Sequence, residues 1–263
     1  MTGPGWTAAW LGDWVGSWPG DLTVLDLLAV VVLLVSWLAI DWRIEHPASR
    51  RPSVSLLMEG YRREWMTHMV ARNARMFDAQ LLGILRQGPS FFASATMIAI
   101  GGGLALMGNT KPLTNVAENL SLGAPPPVVW EIKMLLVLGF LANSFLKYVW
   151  SHRLFGYCSV IMAAVPNDAD AAQSMPRAQQ AAELNITAAR SFNRGLRATY
   201  FALASAAWLL GPLPLIGAAL LTVGILWRRE FNSSSRSVLL RNPPGPAAVD
   251  AAQVFTATSA KRS

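Results

Sequence analysis

Four stretches of this chain are apolar over lengths that approach or exceed the width of a bilayer. They run from Leu22 to Ile40, Ser90 to Met107, Trp130 to Trp150 and Ala198 to Trp227. A helix needs about 20 mostly apolar residues to cross a hydrocarbon core of about 30 Å, so each of the first three predicts one transmembrane helix. The fourth would form a helix of roughly 45 Å, which is too long for one untilted span.

The fourth stretch is interrupted near its middle by Gly211-Pro212-Leu213-Pro214. Two prolines remove backbone donors and clash with the preceding helical turn, so a continuous helix is disfavoured. We predict a helical hairpin whose first arm ends at Leu210 and whose second arm runs from Leu215 to Trp227. The first arm then includes Arg194 and Arg197, whose side chains reach the lipid headgroups by snorkelling. This gives five spans; the alternative is four spans with a kinked last helix.

Segments that are poor in basic residues alternate along the chain with segments that are rich in them. The first 21 residues contain no Lys or Arg, the loop from Gly108 to Val129 contains only Lys111, and the Gly-Pro turn contains none. The other connections and the tail are rich in arginine. Because Lys and Arg concentrate on the cytoplasmic side, the alternation predicts five spans with the N-terminus outside and the C-terminus inside. Four spans would leave Arg228 and Arg229 external.

Composition excludes the usual soluble classes. Of the 263 residues, 53% are hydrophobic and 14% are charged, whereas a soluble domain carries about 25% charged residues. An ordinary cytosolic enzyme and a mostly disordered chain are therefore excluded. The net charge of +7 is spread over all the predicted cytoplasmic segments, as topology and anionic lipid require, so nucleic acid is not an expected partner.

The segment 1–21 is rich in tryptophan. Trp6, Trp10, Trp14 and Trp18 recur every four residues, which places them on one face of a helix, and tryptophan prefers the membrane interface. We predict an interfacial helix on the outer leaflet. The alternative is a docking surface for another membrane protein.

Residues 22–230 are predicted to form one transmembrane bundle with two cytoplasmic additions. Residues 56–86 combine an aromatic and aliphatic face with a basic one, which is typical of an amphipathic helix lying in the headgroup region. The cytoplasmic loop 154–190 contains a second predicted helix from Pro176 to Arg190. Residues 231–263 predict a flexible cytoplasmic tail, because proline, alanine, threonine and serine dominate their second half.

Two rows of residues within the spans are candidates for contacts. Ala95, Ala99 and Gly103 form a small-residue row that predicts close helix packing. The third span carries a polar row that could mark a path or site, although its depth favours snorkelling of the lysine. This possible polar site consists of Asn143, Lys147, Ser151 and His152.

No residue pattern predicts catalysis. The three histidines, His46, His68 and His152, all lie near or beyond the cytoplasmic ends of spans, and none pairs with another at helical spacing. Cys158 is the only cysteine, so a disulfide or a cysteine-based metal cluster is excluded. Motifs for phosphate binding, zinc or serine hydrolysis are absent. We therefore expect no enzymatic activity, no cofactor and no metal.

Three sequence stretches taken together are similar to a known family. They are residues 78–83 (DAQLLG) leading into 88–94 (GPSFFAS), residues 145–153 (FLKYVWSHR), and 208–212 (WLLGP) with 228–231 (RREF). Their order and spacing resemble the bacterial and plant membrane proteins of domain-of-unknown-function family five-nine-nine. The resemblance covers roughly residues 25 to 235. It implies a multi-span membrane protein and carries no catalytic residues.

Abundant packing features without a catalytic pattern lead to our expectation for function. We expect a non-catalytic protein of the inner (cytoplasmic) membrane that acts as an accessory or assembly subunit of a larger complex. Its expected partners are membrane lipids and either another membrane protein or a second copy of the chain. The alternative is a small-molecule or lipid transporter that uses the polar row Asn143, Lys147 and Ser151.

Overall fold

The computed structural model describes residues 22–46, 51–108 and 126–241. In these residues the chain forms helices and no strand, which confirms the all-α prediction for this part of the chain. The helices are α1 (Val24–Glu45), α2 (Val54–Val70), α3 (Met76–Gly108), α4 (Pro127–Ala163), α5 (Ser174–Ala206), α6 (Pro212–Phe231) and α7 (Ser234–Arg241), with a 3-10 turn (Ala207–Leu210) between α5 and α6. The four tryptophans predicted to lie at the membrane interface, Trp6, Trp10, Trp14 and Trp18, fall outside the described residues.

Three helices, α1, α3 and α4, are long and apolar enough to cross a membrane. They contain the first three predicted spans. The start of α1 is fixed by a capping box, in which the Thr23 hydroxyl accepts from the backbone N–H of Asp26 and the Asp26 carboxylate accepts from the backbone N–H of Thr23. Such a box satisfies two backbone groups that a helix start would otherwise leave unpaired.

The long helices run alternately up and down between two common ends. At one end, Trp208 after α5 donates to Asp26 at the start of α1; at the other, Arg197 of α5 pairs with Glu45 at the end of α1. We call these the Asp26 end and the Glu45 end. α4 runs antiparallel to α5, because Tyr148 contacts Thr199 whereas Cys158 contacts Ala181.

The predicted break in the middle of the fourth apolar stretch is present. α5 ends in the 3-10 turn Ala207–Leu210, and Gly211 has φ of 128°, a conformation that favours glycine. α6 begins at Pro212, three residues before the predicted start at Leu215. Pro212 and Pro214 are tolerated there because the first helical turn has no backbone partner for its N–H groups.

Two hydrophobic cores are stacked along α4 and α5. The first joins α1, α4, α5 and α6 and is centred on large buried side chains such as Leu33, Phe140, Phe201 and Leu215. The second lies beyond the Glu45 end and joins α2, the start of α3, the end of α4 and the start of α5, with Met66, Leu82, Phe155 and Ala181 among its members. The charged residues described below lie where the two cores meet.

The predicted amphipathic helix over residues 56–86 is wrong as one element. The chain turns at residues 71–75, so α2 ends at Val70 and α3 begins at Met76. α3 then continues through Pro89, which directly precedes the second apolar stretch (Ser90 to Met107). The helix remains continuous because α3 packs on α4 on both sides of Pro89: Arg86 contacts His152 before the proline, and Phe92 stacks on Tyr148 after it. This packing offsets the backbone hydrogen bond that proline removes.

Two further boundaries differ from the sequence expectation. The region 154–190, predicted as a loop with one helix from Pro176 to Arg190, is mostly an extension of α4 to Ala163 and of α5 from Ser174. These extensions are helical because each buries side chains in the second core. The tail predicted to be flexible from residue 231 begins with α7 (Ser234–Arg241), where Arg236 donates to the backbone carbonyl of Pro52 at 3.0 Å.

Candidate functional site

A cavity of about 570 Å³ lies at the Glu45 end, between the two cores. The end of α1, the first half of α2, the middle of α5 and the end of α6 form its walls. Both apolar and charged side chains line the cavity. The charged ones are Glu45, Glu59, Arg62, Arg63, Glu183, Arg190, Arg197 and Glu230.

The start of α2 is fixed beside this cavity by hydrogen bonds from three parts of the chain. Ser53 caps α2 and donates its hydroxyl to the carbonyl of Ile44 at 3.0 Å. The Glu230 carboxylate, at the end of α6, accepts from the backbone N–H and the hydroxyl of Ser55, both at 3.1 Å. A carboxylate at a helix N-terminus is stabilised by the unpaired N–H groups and the helix dipole. The start of α2 therefore fixes the negatively charged Glu230 side chain in the wall of the cavity.

Ion pairs attach α2 to α5 across the cavity. Arg63 donates to Glu183 at 2.7 Å, and Arg190 pairs with Glu59 at 2.7 Å. The two pairs run in opposite order along the two helices, which makes α2 and α5 antiparallel. Each of these carboxylates and guanidinium groups has a partner of opposite charge.

Arginines of α5 also pair with the end of α1. Arg194 pairs with Glu45, and Arg197 pairs with both Asp41 and Glu45. Arg197 is only 4% exposed. The prediction that Arg197 snorkels to the headgroups is therefore wrong: its guanidinium turns inward because two carboxylates on α1 offer charge-assisted hydrogen bonds that lipid and water would otherwise have to replace.

Arg62 differs from the other arginines of the cavity. Its guanidinium donates to the side-chain oxygen of Asn185. Among the described residues, no carboxylate oxygen lies within the 4.0 Å that defines an ion pair with Arg62. Burial lowers the pKa of Arg62 from its ordinary value, and the neighbouring Cys158 and Glu59 oppose that shift. The side chain still carries its charge, because arginine is not deprotonated in proteins.

The residues of the possible polar site predicted on α4 have separate surroundings. Ser151 is buried and donates to the carbonyl of Ala188 at 2.7 Å, and His152 accepts from Arg86 at 3.2 Å. Lys147 is half-buried, and its backbone carbonyl accepts from Ser191. The side-chain nitrogen of Asn143 is buried without a partner in the described part of the chain. None of these four residues lines the cavity.

The small-residue row on α3 divides into two parts. Gly103 is buried, and a Cβ added there would lie 2.7 Å from Cδ2 of Leu138, so it packs closely on α4 as predicted. Ala95 and Ala99 are exposed. Phe92 and Thr96 face α4 in their place, since the contact face follows the helical period from Phe92 to Gly103. Close packing of Ala95 and Ala99 against another helix stays a prediction.

A second polar group, which the sequence reading missed, lies at the Asp26 end. Lys133 is 8% exposed, and its ammonium lies over the rings of Trp130 and Trp208 at 5.8 and 5.7 Å. Trp208 also donates to Asp26 at 2.7 Å. A lysine one and a half turns inside an apolar helix is a signal that could have indicated this contact. Within the described ranges, no three His, Cys, Asp or Glu side chains are placed to hold a metal ion.

The described residues form an all-helical fold, and three of its helices are long and apolar enough to cross a membrane, which indicates a membrane protein. The chain belongs to the family described as "Protein of unknown function, DUF599", whose pattern matches residues 28–235. The resemblance carried by the three sequence stretches is thereby confirmed. Comparisons with curated proteins and with solved structures found no match.

Proposed function

We propose that this is an inner-membrane protein that crosses the bilayer five times with its N-terminus outside. Support comes from five segments that each run the whole distance between the Asp26 end and the Glu45 end, in alternating directions. They are α1, the second half of α3, the first half of α4, residues 191–210 and α6. α1 and α6 have 22 and 20 residues, or about 33 and 30 Å. Both lengths suit a hydrocarbon core of about 30 Å.

The charges at the two ends support the same orientation. Near the Glu45 end lie Arg43, Arg194, Arg197, Arg228 and Arg229. Near the Asp26 end, Lys133 is the one basic residue of the described chain. By the positive-inside rule the Glu45 end is cytoplasmic. The charged cavity then opens at the cytoplasmic side of the membrane.

The proposed role is non-catalytic, as an accessory or assembly subunit of a membrane complex. The observation that carries this proposal is the position of α3. Within the described chain α3 packs chiefly on α4, along the face from Phe92 to Gly103. On the adjoining face the exposed Ala95, Ala99 and Gly102 are small, and small residues allow two membrane helices to approach closely. The proposed occupant of this face is an apolar transmembrane helix of a partner subunit.

The test compares two bulky substitutions on opposite flanks of α3. Ala99→Trp fills the small face, whereas Leu104→Trp lies on the other flank, where a large side chain is already 55% exposed. After gentle detergent extraction, wild type and Leu104→Trp should migrate on native gels as a complex of fixed composition. Ala99→Trp should migrate alone. Equal migration of both variants, or a wild type that migrates alone, contradicts the proposal.

The second candidate is a lipid or small-molecule transporter, and the cavity favours it. A cavity of about 570 Å³ that reaches the end of a membrane-spanning helix could admit a headgroup. Purified protein would be placed in vesicles containing phosphatidylglycerol with a fluorescent label. Lipid transport predicts that dithionite added outside quenches more than the roughly half of the label that faces outward. Quenching that stops at the protein-free level rejects this candidate.

A further inference from the structure

Four carboxylates and four arginines line the cavity, and one of these arginines, Arg62, has no ion-pair partner among the described residues. Arg63, Arg190 and Arg197 each have a carboxylate partner, and Glu230 is held at the N-terminus of α2. Arg62 alone among the lining arginines has a neutral partner, Asn185, which is 0% exposed. A half-buried guanidinium without an ion pair has lost hydration that no hydrogen bond to a carboxylate replaces.

The free charge at Arg62 sets the charge of a suitable ligand. One guanidinium is balanced by one negative charge, and the nearby Glu59 and Glu183 disfavour a second one because like charges repel. Guanidinium binds a carboxylate or a phosphodiester through parallel hydrogen bonds. The ligand group at Arg62 is therefore a single oxyanion.

The remaining walls are suited to an apolar body. Ile44, Val54 and Ile186 line the cavity together with Leu56 and Met58. Leu56 and Met58 are each 37% exposed, so apolar surface faces the opening. Occupation of the cavity by an acyl chain would remove this surface from water, which is favourable by about 25 cal/mol per Å².

Asn193 adds a polar contact at the other end of the cavity. Its side chain lines the cavity. It is eight residues from Asn185 on α5, which places the two about 12 Å apart along the helix axis. This distance separates a polar contact near the membrane end from the oxyanion contact at Arg62.

We propose that this cavity binds an amphiphilic monoanion, with its oxyanion group on Arg62 and its apolar part along Ile44, Val54 and Ile186. The oxyanion can be the carboxylate of a soluble fatty acid or the phosphodiester of a membrane lipid. The inference deepens the second candidate function by naming its ligand class. It requires binding only, so vesicle transport can fail while this inference stands.

The first arm of the test measures binding of hexanoate to the full-length protein in detergent by saturation-transfer NMR. Hexanol, which lacks the charge, and acetate, which lacks the chain, are the matched probes. Wild type should bind hexanoate saturably and more tightly than either probe. Arg62→Gln should weaken the hexanoate Kd by about 10- to 100-fold, as expected for loss of a charged hydrogen bond.

The second arm measures retention of phosphatidylglycerol by native mass spectrometry of the same proteins. Retention that is lost in Arg62→Gln identifies a lipid as the source of the oxyanion, whereas hexanoate binding without such retention identifies a soluble carboxylate. Arg153→Gln is the control, because Arg153 is exposed and contacts Tyr157 outside the cavity. It should bind as wild type does in both arms.

Thermal stability separates a ligand site from a structural role. Arg62→Gln can still donate to Asn185 while removing an unpaired charge, so its unfolding temperature without ligand should equal or exceed that of wild type. Arg62→Lys, which keeps the charge without the planar fork, should retain part of the binding. The proposal is overturned if neither arm detects binding that depends on Arg62, or if Arg62→Gln destabilises the free protein while binding as wild type does.

Discussion

At the scale of single residues, the contact between Gly195 of α5 and Tyr148 of α4 leaves no room for a side chain. A Cβ at position 195 would lie 2.6 Å from Cε1 and 2.8 Å from Cδ1 of the tyrosine ring. Tyr148 is 0% exposed, and its hydroxyl shares a hydrogen bond of 2.7 Å with Thr199. The ring therefore cannot move aside without losing this bond or disturbing its neighbours.

Gly195→Ala should destabilise the protein by about 1–3 kcal/mol, the usual cost of overpacking a close contact. The matched control is Gly217→Ala in α6, where a Cβ meets nothing within 4 Å. Alanine in a helix interior is favoured over glycine by about 0.5–1 kcal/mol, so the control should stabilise slightly. Thermal unfolding in detergent measures both, and equal shifts in the two variants would contradict the contact.

Asp78, at the start of α3, is a second residue with a measurable role. It is 0% exposed, accepts from the indole nitrogen of Trp65 at 2.7 Å and pairs with Arg72. Asp78→Ala would leave the Trp65 donor without its acceptor, at a cost of about 1–3 kcal/mol. The unfolding temperature should fall well below that of Asp170→Ala, an exposed control in the turn before α5. Similar unfolding temperatures would refute this role.

Residue roles were the least predictable part of the molecule from sequence. A lysine or arginine near the end of an apolar stretch is read as snorkelling, and that reading fails for Arg197 because its partners come from a helix about 150 positions earlier. Asp41 and Glu45, one turn apart on α1, and Arg194 and Arg197, one turn apart on α5, form a complementary pattern. That pattern was the available signal, although only the fold brings the two helices together.

At the scale of elements, α1 and α5 are joined at the Glu45 end by these ion pairs and at the Asp26 end by the hydrogen bond from Trp208. The contacts at both ends fix the register of the two helices. Apolar contacts along the first core specify the register less strictly, because hydrophobic burial is non-directional. The polar contacts therefore specify the alignment.

Arg197→Gln should destabilise the protein by at least about 1–3 kcal/mol, because it leaves the Asp41 carboxylate largely buried without its charged partner. The exposed Arg153→Gln should change stability by less than about 0.5 kcal/mol. The double variant Asp41→Asn with Arg197→Gln should recover part of the loss, since no charge is then stranded. Chemical unfolding in detergent measures the cycle, and a tolerated Arg197→Gln would restore the snorkelling interpretation.

Helix positions were largely predictable, and helix boundaries were not. The apolar stretches located α1, α3, α4 and α6, and the Gly211-Pro212 pair located the break before α6. The turn at residues 71–75 and the continuity of α3 through Pro89 depend on packing against α4 and on the second core. Local sequence pattern does not contain that information. The cavity was missed for the same reason, because its lining comes from four separate helices.

At the scale of the whole molecule, the charge distribution and the helix directions agree. Five segments run between the same two ends, and the arginines gather at the end where α1 and α6 finish. The second core and the charged cavity lie beyond that end. We therefore propose five crossings, with the Glu45 end in the cytoplasm.

Topology reporters measure this claim most directly. Reporter fusions after Glu45, Gly108, Ala163, Gly211 and Arg241 should read alternately cytoplasmic, external, cytoplasmic, external and cytoplasmic. The fusions at Gly211 and Arg241 decide between five spans and four, because they differ only by the crossing of α6. A cytoplasmic signal at Arg241 together with an external signal at Gly211 is the predicted result. An external signal at Arg241 would contradict the five-span account.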